Sequence, residues 1–391
     1  MTRHWLSAER IRLYAAAILA VYLAAAATLL LRLHGGVDAH GYPLGSDFIA
    51  YWGASHAALG GDAPGAYDPP LLLAAERAAV PGFPGGGPWL YPPGFFLLIA
   101  PLALLPYFWA LALFLAAGLV AYALVARRIL PGQGATLLLP LLAFPGTAIN
   151  LIQGQNGFLT AALLGGGLLL LPAWPLAAGL LLGLLSIKPQ LAVLLPLALA
   201  AGGYWRSLLA AALSALLLNA SGVLLLGGGT MHGFLAAAQA FSATLPDDLR
   251  MLGRVPTLFA ALRLLGLPAG AAYAGQALLA LGAAALVVWS WRRSRDPALR
   301  GAVLVAATLL SSPYLLNYDL TWLALAIAWY TAYALRRGWR RGERELLLLA
   351  WLLPLAMALV HGWIGLQLAP LLPLALLTCL WRRLRYDSAA A

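Results

Sequence analysis

The sequence predicts an all-α, polytopic transmembrane helix bundle of about twelve spans, and three observations carry that prediction. Of the 391 residues, 63% are apolar and only 9% are charged, whereas a soluble domain carries about a quarter charged residues. Apolar runs of roughly 15–25 residues, long enough to cross a bilayer, recur from end to end. The 41 Gly and 26 Pro residues fall inside those runs rather than in polar low-complexity stretches, which excludes a disordered chain.

Taken in order, spans are expected at residues 12–32, 107–126, 135–150, 157–172, 174–187, 190–203, 207–227, 271–291, 301–316, 319–335, 346–361 and 363–380. Several are short for a full crossing and require burial in the bundle or a locally thin bilayer. The run at 12–32 has too long an apolar core for a cleaved leader, and no small-residue cleavage site follows it, so a retained anchor is expected. The stretch 91–106 carries Pro92, Pro93, Pro101 and Pro106, which interrupt a helix and suggest a re-entrant or tilted half-helix. Residues 48–59 suit a short helix lying in the membrane interface. The chain reads as one integral membrane domain over 1–391, with long loops at 34–90 and 228–270. The single Cys379 excludes intrachain disulfides.

Charge decides the expected sidedness, because Lys and Arg resist translocation. Basic residues cluster at Arg3, Arg10 and Arg12, at Arg127 and Arg128, at Arg206, and within 292–300, 336–344 and 382–385. Placing these clusters on the cytoplasmic side puts 18 of the 24 basic residues inside, with 5 acidic ones, and leaves 6 basic and 8 acidic residues outside. Both termini are then cytoplasmic, in a plasma (inner) membrane. The polar stretches 34–90, 153–156, 188–190, 228–270 and 311–319 all fall on the outer face. Five separate segments meeting at one face suggest a single site there. The lipid bilayer is the expected surrounding partner, and no nucleic acid is.

Within those stretches a few residues have chemistry to offer. Asp47 either caps the helix over 48–59, a role Ser46 also suits, or serves as a general base beside an apolar surface; spacing alone leaves both open. Tyr51, Trp52, Tyr67, Trp89 and Tyr91 suit stacking on sugar rings and equally suit an interfacial aromatic belt. Lys188 is the sole lysine among 24 basic residues. A snorkelling anchor is one reading, but Arg does the anchoring elsewhere, so an anion site is the better one. Gln155 and Asn156, in Gln153-Gly154-Gln155-Asn156, either add amide donors on that face or belong to a plain polar turn with Gly154 as breaker; Gln190, in Lys188-Pro189-Gln190, is a further amide beside the lysine. Asn317 and Asp319 either face the same cavity or cap the next span. His56 and His232 read as interfacial. No HExxH, P-loop, CxxC or GxSxG pattern occurs, and no metal or cofactor is expected.

The order of these motifs resembles glycosyltransferase family 87. It runs Asp47-Phe48-x-x-Tyr51-Trp52, Tyr67-Asp68-Pro69, Tyr91-Pro92-Pro93 with Pro101 and Pro106, Gly154-Gln155-Asn156, Lys188-Pro189-Gln190 and Ser312-Pro313, over about residues 40–320. The resemblance implies a GT-C type membrane enzyme, a hexosyltransferase. Its donor would be a polyprenyl-phosphate-linked sugar and its acceptor a lipid or glycan, with inverting transfer at the extracytoplasmic face. By that similarity Asp47 matches the acidic residue that acts as base, and Lys188 matches the lysine near the donor phosphate. The α-mannosyltransferases of the family carry a histidine-containing stretch after Ser-Pro; here residues 314–319 contain no histidine, so the resemblance implies the reaction class and leaves mannose as one of the hexoses open to it.

Two other classes compete. A secondary transporter or lipid flippase places ionisable groups near the bilayer midplane and often shows inverted repeats, whereas these runs are nearly free of charge at their centres and show no repeat. A non-catalytic subunit of an envelope-assembly complex would leave Asp47 and Lys188 widely separated, and an enzyme would gather them.

Overall fold

The computed structural model describes residues 4–387, and among them the chain is all-helical, with only isolated bridges at His34–Val37 and Val37–Pro43. The helices are α1 (Ala8–Arg32), α2 (Phe48–Leu59), α3 (Pro69–Ala79), α4 (Pro93–Ile99), α5 (Tyr107–Ile129), α6 (Gly134–Leu142), α7 (Pro145–Gln153), α8 (Gly157–Leu170), α9 (Pro175–Gly183) and α10 (Pro189–Ala192). They continue with α11 (Leu195–Ala201), α12 (Trp205–Leu226), α13 (Gly229–Thr244), α14 (Leu249–Leu252), α15 (Leu258–Leu264), α16 (Ala269–Arg293), α17 (Pro297–Ser311), α18 (Leu323–Arg337), α19 (Glu343–Ile364) and α20 (Leu371–Asp387).

Each expected span coincides with helix, but few are single long helices. Among the described residues four helices, α1, α5, α12 and α16, are long and apolar enough to cross a membrane; the pair α6 and α7, bent by 52°, makes a fifth if it is one span. Proline explains the breaks, since it cannot donate to the preceding turn and disfavours helix in the residue before it. Pro145, Pro175 and Pro189 each stand at the first position of a new helix. The proline-rich stretch gives the short apolar helix Pro93–Leu104, a half-helix by length.

The centre of the bundle is α17, thirteen of whose fifteen residues are buried. It packs on α16, α18 and α20; from Gly301 to Leu310 its sequence is apolar but for Thr308, as a helix surrounded by others requires, and Arg300 near its start is bonded to the carbonyls of Trp291 and Ser294. A second close approach joins α9 to α12. A Cβ on Gly179 or Gly183 would run into the carbonyl oxygens of Ser207 and Ala211, and Ser214 Oγ donates to Leu180 O at 2.9 Å across the same contact. Small residues four apart permit this approach, and in a bilayer it replaces the hydrophobic drive that association in water would have. Gly222, further along α12, is likewise pressed against the backbone of Pro93, so α12 carries both α9 and the half-helix.

The helix expected at 48–59 is α2, but it is not a helix lying free at an interface. Seven of its twelve residues are buried, against α3, the half-helix and the 3₁₀ turn Ala63–Tyr67. On α3, Glu76 is only 2% exposed and packs under Gly53 of α2, and its Oε1 has no hydrogen-bond partner. Burial pushes its pKa up from 4.5 to about 7.

Two outcomes follow for stability. Gly183→Leu overpacks the α9–α12 contact and should lower the melting temperature in detergent, by about 1–3 kcal/mol of stability; Gly282→Leu, where a Cβ meets nothing within 4 Å, should leave it unchanged. For Glu76, the folded protein between pH 4.5 and about 7 keeps a proton that the unfolded chain has lost, so stability falls as pH rises through that window and levels off above it. Glu76→Gln should therefore melt higher than wild type at pH 8 and alike at pH 4.5; an equal gap at both pH values would show that Glu76 does not titrate this way.

Candidate active site

The site is assembled on the turn between α7 and α8. Gly154 ends α7 in the left-handed conformation, φ +71°, the usual place for glycine after a helix. A side chain there would also strike Phe48 and Gly45, so glycine is required twice. Asn150 staples the turn: its Nδ2 donates to Gln155 O at 3.0 Å, and its Oδ1 accepts from Gly157 N at 2.9 Å. The first loop docks here because Asp47 N donates to Gln153 O at 3.0 Å.

Asp47 occupies the N-cap position of α2, yet its side chain makes no capping bond. Its Oδ2 accepts from Gln155 Nε2 at 2.9 Å instead. The other end of that amide, Oε1, accepts from Tyr51 OH and, at 3.4 Å, from Tyr91 OH; the two phenol oxygens are 2.6 Å apart. This fixes the orientation of the amide, since the reverse would set its oxygen against the carboxylate. Tyr67 OH donates to Tyr91 O at 2.6 Å. Tyr51, Trp89, Tyr91 and Phe95 form an aromatic wall, with ring centroids 4.6 to 6.0 Å apart. These rings are not an interfacial belt, because Tyr51 and Trp89 are 1% exposed.

Lys188 lies between the 3₁₀ turn Leu184–Ile187 and Pro189. Its Nζ is 2.8 Å from Asp319 Oδ1, and both side chains are almost fully buried. Asp319 Oδ2 accepts from Leu316 N at 2.9 Å, and Nζ also sits 4.6 Å from the centre of the Tyr318 ring. Burial, first, holds Tyr51 and Tyr91 well above the ordinary phenol pKa, and the carboxylates of both Asp47 and Asp319 push each further up. The two carboxylates therefore lie within electrostatic reach of one phenol pair, and those phenols remain donors at neutral pH.

The remaining residues singled out in the sequence are placed as follows. Asn156, next to Gln155 and at the N-cap of α8, is fully buried, and neither its Nδ2 nor its Oδ1 has a partner. Gln190 is half-buried, two residues after Lys188. Asn317 Oδ1 accepts from Tyr318 N at 3.0 Å. Trp52 turns away from the phenols: its indole N–H donates to Leu105 O at 3.0 Å and its ring stacks on His56. Among the described residues no group of three His, Cys, Asp or Glu side chains is arranged to hold a metal. Asn150 was not singled out by sequence, although a polar residue inside the apolar run 135–150 is a signal available there.

No curated protein and no solved structure matches the chain. The sequence pattern of glycosyltransferase family 87 matches residues 89–313, which include Tyr91, Gln155, Asn156 and Lys188. With more than half of its length inside that match, the chain belongs to glycosyltransferase family 87 and is a membrane glycosyltransferase.

Proposed function

We propose that this enzyme transfers a hexosyl group from a polyprenyl-phosphate sugar to a lipid or glycan acceptor at the extracytoplasmic face, with inversion, and that Asp47 is its base. The observation that supports Asp47 most is its bond to the Gln155 amide beside the Tyr51 and Tyr91 phenols, a place none of the other described acids at that end shares through a side-chain bond of its own. Asp38 accepts from His40 N and Tyr42 N. Asp62, Asp68 and Asp248 cap Gly65 N, Leu71 N and Met251 N. Asp247 pairs with Arg263, and Asp319 has both oxygens bonded. Glu76 is enclosed under α2. Asp47 is held at one oxygen by Gln155 and keeps Oδ1 without a protein donor. It is oriented, with one oxygen open to an acceptor hydroxyl.

In the proposed step the acceptor hydroxyl attacks the anomeric carbon as Asp47 Oδ1 takes its proton. The bond from that carbon to the phosphate oxygen breaks, and its electron pair leaves with the lipid phosphate. Lys188 and the amide donors of Gln155, Asn156 and Gln190 suit the charge that develops on that phosphate. Tyr51, Tyr67, Tyr91 and Asn317 line the approach for the sugar. Asp319 holds Lys188 in place through their 2.8 Å contact, and so acts as a positioning residue.

The test is transfer from a synthetic polyprenyl-phosphate hexose to extracted membrane acceptor by monodisperse purified protein. Asp47→Asn should lower turnover on the order of 10²–10⁴-fold with folding retained. Lys188→Ala should be made together with Asp319→Asn, since alanine alone strands a buried carboxylate; the double variant should weaken use of the donor, and Lys188→Arg should retain part of it. Wild-type turnover by Asp47→Asn rules out this mechanism. A transporter, a flippase or a non-catalytic subunit would show no transfer even with the wild-type chain.

Sidedness has its own measurement. In a Cys379→Ser background, cysteines at Ala78 and Gln239, both exposed, should react with an impermeant thiol reagent in intact cells, and one at the exposed Arg341 should not. Labelling at 341 alone would invert the orientation and move the site with it.

A further inference from the structure

At the end of the bundle away from Asp47, a cavity of about 650 Å³ opens between α1, α6, α18 and α19. Its wall is almost wholly apolar, running from Ala324 and Ile327 to Leu335 on α18 and past Ala15 and Ile18 on α1. Ala15 is the one residue of α1 that is buried, so this long apolar helix stands off from the bundle with the cavity behind it. A space of this kind inside a bilayer fills with hydrocarbon, because neither water nor a void is tolerated between apolar walls.

One lining residue does not suit hydrocarbon. Arg344, at the start of α19, is half-buried and lines the cavity. Its guanidinium stacks on Trp339 at 5.0 Å, and no acidic side chain pairs with it among the described residues. Glu345 beside it is already bonded to His4 and Trp5, and Glu343 to Arg383 and Tyr330. Ser7, Gln133 and Thr136 add polar groups to the same lining. An unpaired cation on an apolar cavity within a membrane calls for an anionic headgroup whose chains fill the rest.

We propose that this cavity is a binding site for one anionic phospholipid, its phosphate on Arg344 and an acyl chain between α1 and α18. Length selects a phospholipid over the polyprenyl donor. From Ala324 to Leu335 the wall spans about 16 Å at 1.5 Å per residue, about half of a 30 Å hydrocarbon core, so the cavity is one leaflet deep. Charge position selects it too. Lys188 and Asp319 stand before the first residue of α18 and Arg344 lies beyond its last, about 22 Å further along, so one lipid phosphate cannot serve both. This inference does not depend on the identity of the sugar donor, only on membrane embedding.

Native mass spectrometry of the full chain in mild detergent, titrated with phosphatidylglycerol or with phosphatidylcholine of the same acyl chains, tests it. Wild type should retain a single phosphatidylglycerol, more firmly than phosphatidylcholine. Arg344→Gln should weaken phosphatidylglycerol retention about fivefold, to the level of phosphatidylcholine, and Arg344→Lys should restore most of it. Ile327→Trp, or Thr331→Phe should that variant not be monodisperse, should partly fill the cavity in the path of the acyl chain and weaken retention of both lipids. Equal retention of the two lipids by wild type, or phosphatidylglycerol retention unchanged by Arg344→Gln or by the filling variant, overturns the proposal, as does a polyprenyl phosphate as the single retained lipid.

Discussion

A buried amide has an acceptor side and a donor side, and each must meet its complement or carry the cost of desolvation. Gln155 meets that constraint by facing two phenols with its oxygen and Asp47 with its nitrogen. The first loop, α2 and the half-helix are brought to one point by this single side chain, and the turn that presents it depends on Gly154 and Asn150. Were Gln155 replaced by a residue with one kind of polar group, either the carboxylate or the phenols would lose their partner. The precision of the site therefore rests on a turn between two short helices, made by Gly154 and held by Asn150.

Much of this architecture is legible in the sequence. Hydropathy locates the helices because in a bilayer every backbone group must be satisfied within its own segment, and the prolines announce the breaks. The close contact of α9 with α12 was also legible, as Gly179-x-x-x-Gly183, a spacing with a known consequence in membranes. What hydropathy cannot give is the environment of α2. Phe48, Tyr51 and Trp52 have the composition of an interfacial helix, and only the covering elements, α3 and the half-helix, make their surroundings protein.

The site divides along the same line. Asp47 and Lys188 stand out in sequence because a charge in so apolar a chain needs a reason. Gln155 and Asp319 stand out too, as polar residues of the same face, but the pairing does not: Gln155 is 108 residues from Asp47, and Asp319 is 131 residues from Lys188. Such pairs are set by tertiary packing and leave no period or motif. The same holds for Trp52, whose place in Asp47-Phe48-x-x-Tyr51-Trp52 suggested a role beside Tyr51. Tyr51 follows Asp47 by four residues and shares its face of the helix, whereas the next residue is turned by about 100° and meets Leu105 instead.

The buried pair also bears on why this chain has one lysine among 23 arginines. An ammonium has three donors, and Asp319 takes one through Oδ1, its Oδ2 being occupied by Leu316 N. On the proposed function, two N–H groups remain for an arriving phosphate, and the pair need not break for the lysine to be used. A guanidinium prefers a carboxylate through two parallel bonds, which would compete with Leu316 N for Oδ2 and turn the flat side of the group away from the donor. Lysine keeps the charge compact and its free donors rotatable, while Asp319 lowers the cost of holding that charge in the bundle. On the proposals above, an arginine serves where a headgroup is held at the edge of the bundle, as proposed for Arg344, and a lysine suits a phosphate that must arrive and leave.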